Sequence, residues 1–372
     1  MGSNMKLIIQ PDDGPGPLLA ALRNSKKSVE LAIFRFDRSD IESALKELVA
    51  RGVRVTALVA EDNRGGAGNL RQLESRFLEA GITVARSAND LARYHEKLIL
   101  IDRRFLFVLS FNLTHLDIDH SRSFGIITQN PSLIQEAARL FEADCARRPY
   151  TAGSDSFVVS PVNSRKVLRT FLKRAKKQLL IYDQQVSDKE MLRVLQERTK
   201  AGVEIRVIGK TGSRFNLNVR KLTQMRLHTR TIIRDARQAF VGSQSLRTAE
   251  LDSRREVGLI VRDPKVVKRL LASFESDWST AAGIRDKVKS AREGIVSKKE
   301  AEKAAQVLIR ELHPLTATVK KAVNKVVMQA GEDVLQDKVV KATMKKVVKN
   351  AVKKAVREAA SESTDSKLPA EN

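Results

Sequence analysis

The chain has 372 residues, 42 % hydrophobic and 30 % charged, and its 68 Lys plus Arg outnumber 44 Asp plus Glu to leave a net charge of +24. That length suits two or three domains of roughly 100–200 residues, and the apolar fraction excludes global disorder. A single cysteine, Cys145, excludes an intramolecular disulfide framework and a zinc ribbon.

In chain order, the segment from Met1 to Met5 lacks the basic start and apolar stretch of a secretory signal. Apolar runs such as Leu31–Phe34 and Leu98–Ile101 are far short of the roughly 20 residues that span a bilayer. The expectation is a cytoplasmic protein without a transmembrane segment, able to lie peripherally on a membrane. An apolar run, Val29–Phe34, is followed by Ser39-Asp40, a helix N-cap signal. Ile41, Leu45, Leu48 and Val49 then recur at helical spacing, Gly52 stops the helix, and Val53–Val59 opens a β-branched strand. A turn at Arg64–Gly68 and a helix over Asn69–Glu79 come next.

From there the chain repeats itself. Placing His95 on His228, an offset of 133, superposes Asp102 on Asp235, Ser110 on Ser243, Gly125 on Gly258, Phe141-Glu142 on Phe274-Glu275 and Asp144 on Asp277. Upstream the offset is 150, with Lys26-Lys27 on Lys176-Lys177 and Gly52-Val53 on Gly202-Val203. The second copy repeats the apolar run (Gln178–Tyr182), the N-cap pair Ser187-Asp188, the helix with Met191, Leu192 and Leu195, and the strand Val203–Ile208. Strand, helix, strand in this order favours a parallel or mixed sheet flanked by helices. The predicted fold class is therefore α/β, with two lobes related by a pseudo-twofold axis over residues 1–150 and 151–284.

Both copies share one polar constellation. His95 and Lys97 fall on one face of an apolar strand, as do His228 and Arg230. Two histidines at equivalent repeat positions, each with a cation two residues on, point to a joint site in a chain with only 5 His.

These residues resemble the phospholipase D superfamily, whose pattern His-x-Lys-x4-Asp followed by Gly-Ser-x-Asn occurs twice per active site. His95-Glu-Lys97-x4-Asp102 matches in full, and His228-Thr-Arg230-x4-Asp235 matches with Arg for Lys. The resemblance implies a metal-independent phosphodiesterase, without cofactor, working through a covalent phosphohistidine. His95 would be the nucleophile and His228 the general acid, with near-neutral pKa values suiting both roles. Lys97 and Arg230 would neutralise the phosphoryl oxygens, and Asn112, Ser110, Ser243 and Ser245 would donate hydrogen bonds to them. Asp102 and Asp235 read as structural turn residues. An acidic residue after each Gly-Ser-x-Asn supports a histidine in this superfamily; Glu256 fits, while the first copy has Ser123, so that support is asymmetric or Asp119 substitutes. Leu109 replaces the first Gly of that pattern and Ser245 the second Asn. Arg230 presents a planar fork where the family has a point charge.

From about residue 285 aromatic residues disappear. Residues 285–372 read as a basic helical extension, with an amphipathic helix over 338–357 suited to an anionic membrane, a nucleic acid or a docking face, and a disordered end from Ser361. Residues 1–284 hold +16 of the net charge, so most of the anion-seeking field belongs to the two lobes. The substrate implied by the resemblance is a phosphodiester of phospholipid or nucleic acid. The first reading is hydrolysis or transfer of a phospholipid head group in lipid metabolism. A metal-independent nuclease is the alternative, and few aromatics (13 Phe, 3 Tyr, 1 Trp) would limit it to backbone contact. A third reading is a degenerate, non-catalytic protein that binds anions or nucleic acid.

Overall fold

The computed structural model describes residues 5–61, 67–212 and 217–283. The turn expected at 64–68 falls partly, and the basic extension wholly, outside the described residues, apart from the helix backbone from Ala67. In chain order the first half runs β1 (Met5–Gln10), α1 (Gly16–Arg23), β2 (Ser28–Ile33), α2 (Ser39–Ala50), β3 (Arg54–Val59), α3 (Ala67–Glu79), β4 (Thr83–Arg86), β5 (Arg93–Tyr94), β6 (Leu98–Ile101), β7 (Phe105–Leu109), α4 (His115–Asp119), β8 (Ser121–Thr128) and α5 (Pro131–Cys145). The second half runs β9 (Phe157–Ser160), α6 (Ser164–Lys173), β10 (Gln178–Val186), α7 (Lys189–Lys200), β11 (Glu204–Thr211), β12 (Asn218–Lys221), β13 (Arg226–Leu227), β14 (Arg230–Arg234), β15 (Gln238–Gly242), α8 (Thr248–Asp252), β16 (Arg254–Val261), α9 (Pro264–Thr280) and β17 (Ala282–Gly283).

Local chemistry explains most boundaries. In α2, Ile41, Ala44, Leu45 and Leu48 are buried at helical spacing, and Gly52 follows at φ +80°, a conformation that costs a residue with a Cβ. Helices α5 and α9 each begin with Pro behind a capping residue, Asn130 accepting from the Leu133 N–H and Asp263 from those of Lys265 and Val266. Asp188 caps α7 as the sequence suggests. Its counterpart Asp40 does not: α2 starts two residues earlier, with Arg38 at the N-cap position, and the Asp40 carboxylate is held by the Arg38 guanidinium.

Each half builds one mixed sheet flanked by helices. The first has strand order β1-β8-β7-β6-β2-β3-β4 and the second β17-β12-β11-β10-β14-β15-β16. The parallel pairs β2–β3, β3–β4 and β10–β11 come from strand-helix-strand units, β11–β12 is a further parallel pair, and the antiparallel pairs β6–β7 and β14–β15 are hairpins. Alternation sorts the side chains: Leu98 and Leu100 enter a core shared with Phe124, Tyr182, Val241, Leu259 and Phe274, while Ile99 and Ile101 enter an outer core with α1, α2 and α3. The shared core draws on both halves, including α5 and α9, and joins the lobes into one compact unit.

Two short strands cross between the lobes. β5, immediately before His95, pairs in parallel with β16 of the second sheet. β13, immediately before His228, pairs in parallel with β8 of the first. Each histidine is therefore delivered by its own lobe and held by the other.

Candidate active site

The conserved spacing of seven between His and Asp within each copy has a backbone explanation. Asp102-Arg103 and Asp235-Ala236 are the first two residues of the three-residue turns of the β6–β7 and β14–β15 hairpins, and all four have φ near +50°. Such turns favour Asp at a left-handed position. The Asp102 carboxylate accepts from the backbone N–H groups of Lys26, Lys27 and Ser28 at 2.7–3.1 Å and from the Ser25 hydroxyl. Asp235 repeats this with the N–H groups of Lys176, Lys177 and Gln178. Both carboxylates thereby fix the start of the central strand, β2 or β10, and hold their pKa below the usual carboxylate range through those N–H groups against the cost of burial.

The other end of the same hairpins carries the histidines. His95 is buried, its backbone N–H donates to the Arg255 carbonyl at 2.8 Å, and its Nδ1 lies 2.8 Å from Glu256 Oε2. Lys97 Nζ turns back to donate to the His95 carbonyl at 2.6 Å. The second copy repeats the frame: the His228 N–H donates to the Arg122 carbonyl at 3.0 Å, and Arg230 Nη1 donates to the His228 carbonyl at 2.6 Å. The fork of Arg230 does more than a lysine, because Nη2 also reaches Gln184 Oε1 at 3.3 Å.

The frame is symmetric but the carboxylates are not. The residue equivalent to Glu256 is Ser123, fully buried, whose hydroxyl has no hydrogen-bond partner among the described residues. His228 Nδ1 instead has Asp117 Oδ2 at 3.5 Å, longer than a hydrogen bond. Asp117 accepts from both the N–H and the side-chain amide of Asn112, at 2.8 and 2.7 Å, and from Arg226 Nη1 at 2.5 Å. Asp119, offered by sequence as a substitute support, is engaged by Arg38 and His115.

Burial pushes both imidazole pKa values well below their ordinary range; Lys97 and Arg230 add to this at His95, and Arg230 at His228 against Asp117. Burial also brings Lys97 down to about 7 and raises Glu256 to about 7, Glu256 against the pull of Lys97. Asp117 stays below the usual carboxylate range despite burial, held there by His228, the Asn112 N–H and Arg226. The site is thus a neutral imidazole pair among poised cations, an arrangement that can attack and then stabilise an anionic phosphorus centre.

The serine and asparagine residues expected to donate to the phosphate each also bond within the fold. Ser110 Oγ accepts from the Phe124 N–H, and Ser243 Oγ bonds the Val257 N–H and carbonyl, so both tie adjacent strands. Ser243 also touches Glu256. Ser245 Oγ donates to Asp183 Oδ1 at 2.6 Å while its N–H donates to Glu250. Asn112 keeps a buried Oδ1 without a partner among the described residues, and its amide serves Asp117. Sequence reasoning missed Asp117 and Glu250, which bond the backbone N–H of residues 112 and 245; the offset of 133 superposes them and was the available signal. It also missed Arg122 and Arg255, related by the same offset. Among the described residues no three His, Cys, Asp or Glu side chains form a metal-holding group, and no helix is long and apolar enough to cross a membrane.

The family model described as cardiolipin synthase, PLD-like domain, matches residues 18–145 and 168–278. Among curated proteins the chain is similar to mitochondrial cardiolipin hydrolase of Danio rerio, 31 % identical over 130 residues, which is 34 % of this chain and 56 % of that protein. The Mus musculus protein of the same name is 31 % identical over 129 residues, 34 % of this chain and 55 % of the relative. The chain spans about half the length of these relatives. Among solved structures it is similar to polyphosphate kinase from Porphyromonas gingivalis (TM-score 0.62, 22 % identity, 73 % of this chain and 46 % of that one). It is also similar to phosphatidylserine synthase from Haemophilus influenzae (TM-score 0.59, 10 % identity, 75 % and 87 %). At these identities the two structures share the fold.

Proposed function

The chain belongs to the PLD-like domain family of cardiolipin synthase, within the phospholipase D superfamily, and from that premise we propose that it is a phosphodiesterase of phospholipid head groups that works through a covalent phosphohistidine. The observation that carries this reading is the unequal bonding of two otherwise matched histidines: His95 has a carboxylate 2.8 Å from Nδ1, and His228 does not. A proton held on Nδ1 by Glu256 leaves the Nε2 lone pair of His95 free to attack. The new N–P bond forms as the P–O bond to the leaving group breaks, and the departing oxygen takes its electron pair and a proton from His228. Water then gives a proton back to His228 and attacks phosphorus, and the N–P bond breaks. An alcohol in place of water gives transfer instead of hydrolysis.

The phosphate itself completes the site. Burial and the nearby cations depress His228, and a negative charge between Lys97 and Arg230 offsets two of those cations, which favours the protonated general acid when substrate is bound. The names of the relatives, cardiolipin hydrolase and phosphatidylserine synthase, support a phospholipid as the substrate class. The intact His95–Glu256 pair supports turnover over a purely anion-binding role.

The test is a panel in EDTA of phosphatidylglycerol and cardiolipin in mixed micelles, single-stranded DNA and RNA, and bis(p-nitrophenyl) phosphate. We expect lipid turnover lost in His95→Ala, and a phosphoryl group on His95 in mass spectra of the quenched enzyme. Cleavage of nucleic acid alone overturns the lipid assignment, and turnover without a phosphorylated His95 overturns the mechanism.

A further inference from the structure

The pseudo-twofold symmetry breaks beside the site in a way that catalysis at His95 does not use. In the first lobe Phe34, Ala60 and Tyr94 form a small closed apolar cluster. The equivalent residues of the second lobe, at offsets of 150, 150 and 133, are Gln184, Lys210 and Leu227. Here the same place opens as a cleft of about 770 Å³ whose lining includes Lys210, Lys221, Arg226 and Arg247 and no carboxylate. Arg226 and Arg247 are anchored from behind by Asp117 and Glu250. Lys210 and Lys221 are exposed and have no acidic partner among the described residues. Lys210 and Lys221 meet at this lining without a counter-charge and repel one another, which is unfavourable unless an anion joins them.

The cleft is wired to the site. Gln184 lines it, donates to the Leu227 carbonyl at 2.7 Å and accepts from Arg230. Two residues of extended strand place the Arg226 backbone about 7 Å from that of His228, so the cleft and the histidine are neighbours on the scale of a glycerol-bridged pair of phosphates. Gly209, also on the lining, is required to be glycine: at φ +146° a Cβ would overlap the Asp183 carbonyl oxygen.

We propose that this cleft is a second anion subsite, which holds a further phosphate of the same lipid molecule whose first phosphate lies between Lys97 and Arg230. The proposal rests on the lipid phosphodiesterase reading and adds the substrate feature selected: two phosphodiesters bridged by glycerol.

Two measurements separate its failure from failure of that reading. Calorimetry on the full chain compares glycerol 1,3-bisphosphate with glycerol 3-phosphate, for wild type, for Lys210→Gln with Lys221→Gln, and for the charge-matched control Lys189→Gln with Lys200→Gln. The bisphosphate should bind wild type and control at least about tenfold tighter than the monophosphate, or about 1.4 kcal/mol, and the cleft variant should lose that difference. Equal binding of the two ligands to wild type, or an equal loss in the control, overturns the subsite whether or not the chain turns over lipid. In mixed micelles the cleft variant should raise KM for cardiolipin about tenfold and leave its kcat, and the KM for phosphatidylglycerol, within twofold. An equal KM change for both lipids overturns the subsite. Turnover of single-stranded DNA in place of both lipids overturns the lipid as occupant, and the calorimetry still decides whether the subsite exists.

Discussion

The guanidinium of Arg255 grips the carboxylate of Asp144 across the lobe boundary, with Nη2 3.0 Å from Oδ1 and Nε 3.0 Å from Oδ2. Its pseudo-twofold mate, Arg122, holds Asp277 at 2.9 and 3.1 Å. All four side chains are buried. The backbone carbonyl of each arginine accepts the N–H of a candidate-site histidine from the opposite lobe: Arg255 takes that of His95 and Arg122 that of His228. The ion pairs therefore register the two strands on which the site depends. Removing one partner strands a buried charge, so Arg255→Gln should cost about 3–5 kcal/mol in urea unfolding, and among folded molecules it should lower kcat more than it raises KM.

Lys97 and Glu256 predict a pH signature. With the Lys97 pKa brought to about 7 by burial, kcat/KM should fall above about pH 7 as the phosphate loses its cation. A bound phosphate favours the ammonium form, so the alkaline limb of kcat should lie at higher pH than that of kcat/KM. Complete pH–rate profiles check both limbs, and coincident limbs would count against a phosphate contact at Lys97.

The same pair shapes stability. The folded pKa of Glu256 lies above its ordinary 4.5, so the folded state binds the extra proton and stability falls as pH rises from about 4.5 to about 7. The folded pKa of Lys97 lies below its ordinary 10.5, so the unfolded state binds the extra proton and stability rises from about 7 to about 10.5. These two groups place a stability minimum near neutrality. Lys97→Met, apolar and of similar volume, should raise Tm at pH 7 by a few degrees and flatten the dependence above it while abolishing turnover.

The unequal roles of the histidines are tested by the leaving group. p-Nitrophenolate departs without protonation, whereas an alkoxide does not. His228→Ala should lose about 10²–10⁴-fold on lipid and far less on bis(p-nitrophenyl) phosphate, while His95→Ala should lose both. Equal losses on both substrates in both variants would reverse or remove the assignment.

At Gly209 the backbone of β11 passes so close to the Asp183 carbonyl that no side chain fits, beside the register shift of β10 between Asp183 and Val186. Gly209→Ala should destabilise by about 1–3 kcal/mol. Because the Asp183 carboxylate holds the Ser245 hydroxyl and the Leu246 N–H, the same substitution should disturb the second lobe's half of the site, read as a rise in KM.

The lobes, both histidines, their cations and the turn aspartates were legible because the chain states them twice, and chance rarely keeps one register through strands, turns and helices. Glu256 was legible only through the family pattern. The hydroxyls of Ser110 and Ser243 were not, since a period of two sets the face of a residue and not the direction in which its Oγ rotates; here both bond across a strand pair. Asp117 and Glu250 stand in the first turns of five-residue helices, where an acidic residue has an ordinary reason to be. Lys210 and Lys221 read as solvated charges until the fold brought them to one cleft.

The crossing of β5 and β13 sets an order of events during folding. Each lobe can close its own sheet from its own half of the chain, but Tyr94 meets Arg255 and Leu227 meets Arg122 only when the two halves come together. Neither imidazole has its backbone anchor before that docking. In refolding from urea, secondary structure should return ahead of activity, and the interval between them times the meeting of the halves.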